Sequence, residues 1–174
     1  VGNVATAQTV GVDLNGVTAD NMAERIGDVN YSDVQWFLEW YTDTGATVTT
    51  ATVNVTYNDG TSGNLTGVSL AATRRASFMQ PLNGFIPAAD SGKFIRAVNT
   101  VTLSVSTGTA GNFGVTATRP RVSLGCPVAN IKWSADWAAL PLGEIPNSAC
   151  LFPLVIAGST TTGTIRGNGK LAHG

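Results

Sequence analysis

The sequence predicts an all-β fold, an antiparallel β-sandwich of jelly-roll-like or Ig-like kind, and three observations predict it. Apolar residues recur with a period of two in one segment after another; Thr, Ser and Asn fill the alternate positions; Gly- and Asn-rich turns separate the segments. Only 12% of the 174 residues are charged while 43% are hydrophobic, against about 25% charged in an ordinary domain, so polar character comes from hydroxyls and amides. Threonine is β-branched and favours a strand, and its hydroxyl tolerates either water or a neighbouring protein surface.

Two units are expected, an N-terminal arm over residues 1–33 and a β-sandwich over residues 34–174. The opening "VGNVATAQTVGVDLNGV" has no sustained periodicity and reads as an extended arm. In "TADNMAERIGD", Thr18 or Asp20 can cap one short helix that Gly27 can end. From Val34 the period becomes two: Val34, Trp36, Leu38 and Trp40 share one face, and Gln35, Phe37, Glu39 and Tyr41 the other. Next, Ala51, Val53, Val55 and Tyr57 alternate with Thr50, Thr52, Asn54 and Thr56; "NDGTSGN" turns the chain and "LTGVSL" returns. A second hairpin is expected from Val101, Leu103 and Val105 through "TGTAGN" to Phe113, Val115 and Ala117. A third would join "CLFPLVIAG" to "TIRGNGKLA", with Pro153 demoting part of its first strand to an edge or bulge. One core should therefore contain Ala51, Val53, Val55, Val101, Leu103, Val105, Phe113 and Val115. The connection from Ala71 to Phe94 permits a short helical turn around "TRRASFMQPL", and Pro120 to Asn147 reads as a long packed loop.

Chemistry is hard to find. The only histidine, His173, lies one residue from the end, so neither a Ser-His-Asp nor a Cys-His arrangement is convincing. One His and two Cys do not make a zinc site, and no catalytic, cofactor-binding or metal residues are expected. Cys126 and Cys150 could close a bridge worth about 3 kcal/mol, though small buried thiols are the commoner form. Asp136 and Glu144, flanked by Trp133 and Trp137, are the best candidates for a glycosidase-like pair, but "IKWSADWAAL" more simply packs its tryptophans into a core or an interface. "YNDGTSGN" is a turn before it is a calcium loop, since Asp59 is its sole carboxylate. "RRAS", Arg74 to Ser77, is a solvated turn before it is an anion contact, and "GNGK" lacks the context of a phosphate loop. The sequons at Asn30, Asn54 and Asn64 are no more than chance supplies in so Ser/Thr-rich a chain.

A formal net charge of -1 offers no field for a nucleic-acid backbone, and no apolar run approaches the 18 or so residues of a membrane span. No basic segment followed by an apolar core opens the chain, so no signal peptide is expected, and Val1 is compatible with a cleaved or missing N-terminal piece. A surface so poor in ions suits a protein packed against others. Contact with another chain is accordingly expected at Val1, Val4, Val10 and Val12 of the arm, at Trp133 and Trp137, and at Trp36 and Trp40, whose strand, with aromatics on both faces, equally fits a core strand buried on both sides.

The runs "EWYTDTGATVTTATVNVTYNDG" and "VTLSVSTGTAGNFGVTATRPR", with the ending "DWAALPLGEIPNSACLFPLVIAGSTTTGTIRGNGKLAHG", resemble segments of virion structural proteins of tailed bacteriophages, from about Trp36 to Gly174. The resemblance implies a non-enzymatic subunit without cofactor or small-molecule substrate, located in the virion and assembled in the bacterial cytoplasm. Its partners would be copies of itself, for instance as a trimer, and other virion proteins such as the major capsid protein. A capsid decoration or cement protein fits the size, and a neck or tail subunit fits nearly as well. From a different class, a bacterial surface or carbohydrate-binding β-sandwich is the alternative.

Overall fold

Seven strands form two antiparallel sheets in the computed structural model, which describes residues 2–16, 26–108, 111–125, 131–132, 134, 145 and 149–156. They are β1 (Gln8–Asp13), β2 (Gln35–Trp40), β3 (Thr49–Tyr57), β4 (Ser62–Leu70), β5 (Met79–Pro81), β6 (Ile95–Leu103) and β7 (Phe113–Thr118). The larger sheet has the order β1-β6-β3-β4 and the smaller β5-β2-β7. The architecture is the antiparallel sandwich that the period of two predicts. Consecutive strands change sheets at every connection except the β3–β4 hairpin. An immunoglobulin sandwich, by contrast, keeps its first two strands in one sheet.

The core lies between the sheets. Trp36, Leu38 and Trp40 from β2 meet Ala51, Val53, Val55 and Tyr57 from β3, with Leu65, Val68 and Leu70 from β4 and Val101 and Leu103 from β6. The Trp36 indole N–H donates to the Ile95 carbonyl at 2.8 Å, tying one sheet to the other. Trp40 meets Phe113 edge-on, with centroids 5.3 Å apart. Of the eight expected core residues, six are buried and Val115 packs partly against the core. Val105 is 43% exposed, because β6 ends at Leu103 and the chain there departs for the other sheet.

Bulges keep the alternation in phase with the core. Against β3, β4 carries one extra residue between Leu65 and Val68, and Gly67 there has φ +69°. Without that residue Gly67, not Val68, would face inward. A similar irregularity between Thr9 and Val12 uses Gly11 at φ +57°.

Four expectations need correction. The arm is not free of the sandwich: Gln8–Asp13 pairs with β6, and Val10 and Val12 pack against the molecule's own core. Residues 98–119 do not form a hairpin, since β6 and β7 lie in different sheets; alternation does not reveal which sheet a returning strand joins. The helical turn expected around "TRRASFMQPL" lies just past it: Thr73 and Ser77 take φ of 54° and 66°, outside any helix, β5 follows, and the same connection then makes short 3-10 turns at Asn83–Phe85 and Ala88–Asp90. Leu151 to Ile156 form no strand and are exposed, so the first half of the third hairpin is not seen; its second half lies outside the described residues. The expected helix also lies outside them, apart from its end, where Gly27 has φ +80°.

Candidate interaction surface

Alternation that turns Val, Leu and Ala inward must turn their neighbours outward. On the larger sheet the pairing aligns those neighbours in rows. Thr9 faces Thr100, Thr100 faces Asn54, and Asn54 faces Asn64, so one row crosses all four strands. Beside it Thr102 faces Thr52, Thr50 faces Ser69, and Thr56 faces Ser62.

Side-chain hydrogen bonds hold this face in one arrangement. The Asn99 amide donates to Asn54 Oδ1 at 2.9 Å and to Thr56 Oγ1 at 3.1 Å. Asn54 Nδ2 in turn donates to Asn64 Oδ1 at 2.9 Å and to the Gly63 carbonyl at 3.3 Å. The amide groups thus run head to tail from β6 through β3 to β4. Near the far end, the Thr50 backbone N–H donates to Ser104 Oγ at 3.0 Å, and Ser104 shares a hydroxyl bond with Thr49 at 3.1 Å.

The four strands carry only two charged side chains, Asp13 and Arg96, and these pair with each other at 3.5 Å at one corner. A second group of charges gathers where the β3–β4 turn meets the segment before β6. Lys93 Nζ reaches Asp90 at 3.0 Å and Asp59 at 3.3 Å, and donates to Thr61 Oγ1 at 2.9 Å. Hydrogen bonds from the Thr61 hydroxyl and backbone N–H, with Lys93 beside it, hold the Asp59 carboxyl below its ordinary value. The bond to Asp90, with Asp59 adding to it, raises Lys93 above its own. Burial, with Asp90 close by, raises Tyr57. "YNDGTSGN" is therefore a turn whose one carboxylate is already engaged.

Elsewhere the described residues offer little chemistry. Asp43, Thr44, Thr73, Arg74 and Arg75 line a shallow depression. Arg75 reaches Asp43 at 3.4 Å from an exposed position, and Arg74 stacks on the Phe78 ring at 4.2 Å with its Nε buried and without a hydrogen-bond partner. Among the described residues no group of three His, Cys, Asp or Glu could hold a metal ion, and no helix is long and apolar enough to cross a membrane. Cys150 is a free thiol, exposed rather than buried.

The expected contact residues divide. Trp36 and Trp40 are 0% exposed within the core, so neither can touch another chain; two aromatics on one strand face pack equally well against an opposing sheet. Val10 and Val12 are half-buried against the same core, while Val4 is exposed. Val1, Trp133 and Trp137 lie outside the described residues, as do Cys126, Asp136, Glu144 and His173. The sequence alone does not reveal the amide row. Alternation places Asn54 on the outer face, but the register that brings Asn64 and Asn99 to it is a tertiary property.

No family model, no curated protein and no solved structure matches the chain.

Proposed function

We propose that this chain is a non-enzymatic structural subunit of a bacteriophage virion, a capsid decoration or cement protein that stabilises the shell through contacts with neighbouring subunits, the major capsid protein among them. One observation carries the reading: an outer sheet face four strands wide, charged only at one corner and held rigid by its own amide and hydroxyl bonds. Covering such a face takes almost no ion out of water, and its donors and acceptors can pair with a partner's without first being ordered. The resemblance of the strand and turn segments to tailed-phage virion proteins supports the same reading. A neck or tail subunit would use the surface in the same way. A carbohydrate-binding module has less support, because the strands of this face turn no aromatic ring outward for a sugar to stack on.

Density-gradient sedimentation of the purified chain with phage particles, followed by electron microscopy, tests the proposal. The intact chain should band with the particles. A Thr52→Lys/Thr102→Lys variant, shown by circular dichroism to be folded, should attach at least about tenfold more weakly, because two ammonium groups would have to be desolvated. An intact chain that remains unattached and monomeric, or a variant that attaches as tightly, overturns the reading.

A further inference from the structure

The loop between β4 and β5, residues 71–78, is pinned along its length to the chain that follows β2. The Thr44 N–H donates to the Arg74 carbonyl and the Arg74 N–H to Thr44 Oγ1, both at 2.8 Å. The Ala76 N–H donates to Asp43 Oδ1 at 2.8 Å, and the Ser77 N–H to the Trp40 carbonyl at 2.7 Å. Thr73 and Ser77, at φ 54° and 66°, are two of the three non-glycine residues with positive φ among those described. For a β-branched residue such as Thr73 that backbone is costly, and it persists only where the surroundings impose it. The two strained residues bracket Arg74 and Arg75.

What this loop presents is one uncompensated cation. Arg75, its side chain 89% exposed, reaches Asp43 at 3.4 Å, and those two charges offset each other. The Arg74 guanidinium has no hydrogen bond or ion pair among the described residues; it lies on the Phe78 ring at 4.2 Å with Nε enclosed. Stacking on the ring holds the planar group in place at the cost of that unmet donor. Its terminal amino groups lack partners too but are not enclosed, so they are the donors Arg74 offers to the depression it lines. Two N–H groups side by side match the two oxygens of a carboxylate. A phosphate dianion matches less well, because one cation is left over and the Asp43 carboxylate lines the same depression. A free small acid would gain one ion pair in an open, mostly polar hollow, whereas a side chain on a partner brings further contacts with it. We propose that this loop is a docking point for one carboxylate, an acidic side chain of a partner protein, received by Arg74. None of the lining residues belongs to a strand of the larger sheet, so the inference goes beyond the virion reading and does not rest on it.

Nitrogen-resolved NMR of the full chain, at constant ionic strength, provides the test, read at the Arg74 Nε–H and at the backbone amides of Thr44 and Arg74. The probes are a capped tripeptide with a central glutamate, its glutamine counterpart, acetate and inorganic phosphate. The glutamate peptide should shift these signals saturably and bind at least about fivefold more tightly than the glutamine peptide. Arg74→Lys keeps the charge but loses the flat pair of donors, so it should weaken the glutamate peptide by at least about fivefold while the remaining amide spectrum stays unchanged. Equal binding of the two peptides, or an Arg74→Lys chain that binds the glutamate peptide as tightly, overturns the proposal. Tighter binding of phosphate overturns the choice of a carboxylate, and saturation by acetate without the peptide overturns the choice of a side chain. Particle attachment, read separately on the gradient, decides the virion reading.

Discussion

Tyr57 stands where the core meets the charged turn, and its two ends experience different surroundings. Its ring is fully buried, Lys93 Nζ lies 5.3 Å from its centroid, and its buried hydroxyl lies close to Asp90 without meeting it in good hydrogen-bond geometry. A buried hydroxyl so poorly paired contributes little, so Tyr57→Phe should leave the melting temperature at pH 7 nearly unchanged or raise it. The pH dependence follows from the directions of the shifts. Tyr57 is raised above 10.0, so the unfolded chain ionises first and stability falls as pH rises past that value. Lys93 is raised above 10.5, so the stabilisation it gives is complete below 10.5 and is lost as pH climbs through its folded value. Asp59 is depressed below 3.8, so its contribution is complete above 3.8 and is lost on acidification through its folded value. Melting temperature against pH should thus decline at both extremes, and Tyr57→Phe should flatten the alkaline limb alone.

In the β3–β4 hairpin, two glycines are required for different reasons. A Cβ on Gly63 would lie 2.7 Å from Tyr57 Cε2, and that ring is enclosed and cannot yield. A Cβ on Gly67 would meet nothing within 4 Å, but the residue has φ +69°. Gly63→Ala should therefore cost about 1–3 kcal/mol through overpacking, and Gly67→Ala about 1–2 kcal/mol through backbone strain alone. Gly67→Asn separates the two causes in chemical denaturation, because asparagine tolerates the left-handed region and should recover most of the loss. At this scale the sequence shows its strengths and its limits. The inward positions of β2 and β3 were legible because a two-residue period means the same thing in any sheet. The strand β1 was not, because Gly11 breaks its pattern just where it bulges. The destination of β7 was hidden because a strand crossing to the opposite sheet alternates like one folding back beside its predecessor.

The whole molecule combines an ordinary apolar interior with an outer face that repels almost nothing. The interior was legible residue by residue. The candidate surface was legible only as a texture of Thr, Ser and Asn, and its organisation depends on three asparagines brought together from β3, β4 and β6. The tryptophans of β2 illustrate the opposite error. Bulky aromatics on an alternating strand look equally suited to a partner or to a facing sheet, and only the closed sandwich shows that the facing sheet takes them.

The zigzag of the chain between sheets also governs the order in which structure can appear. Among the described strands only β3 and β4 are neighbours both in sequence and in space; each other pairing between them must close a long loop before it gains any stabilisation. The hairpin is therefore the natural nucleus, and β1, whose partner β6 lies more than eighty residues downstream, must wait for most of the chain to emerge. Refolding should take milliseconds to seconds, slow for a chain of this size, and stopped-flow tryptophan fluorescence will measure it. During that interval the neutral edge of β4 would already be formed while its sandwich is incomplete. Crowded synthesis of many copies should consequently favour premature pairing, and refolding yield should fall as chain concentration rises.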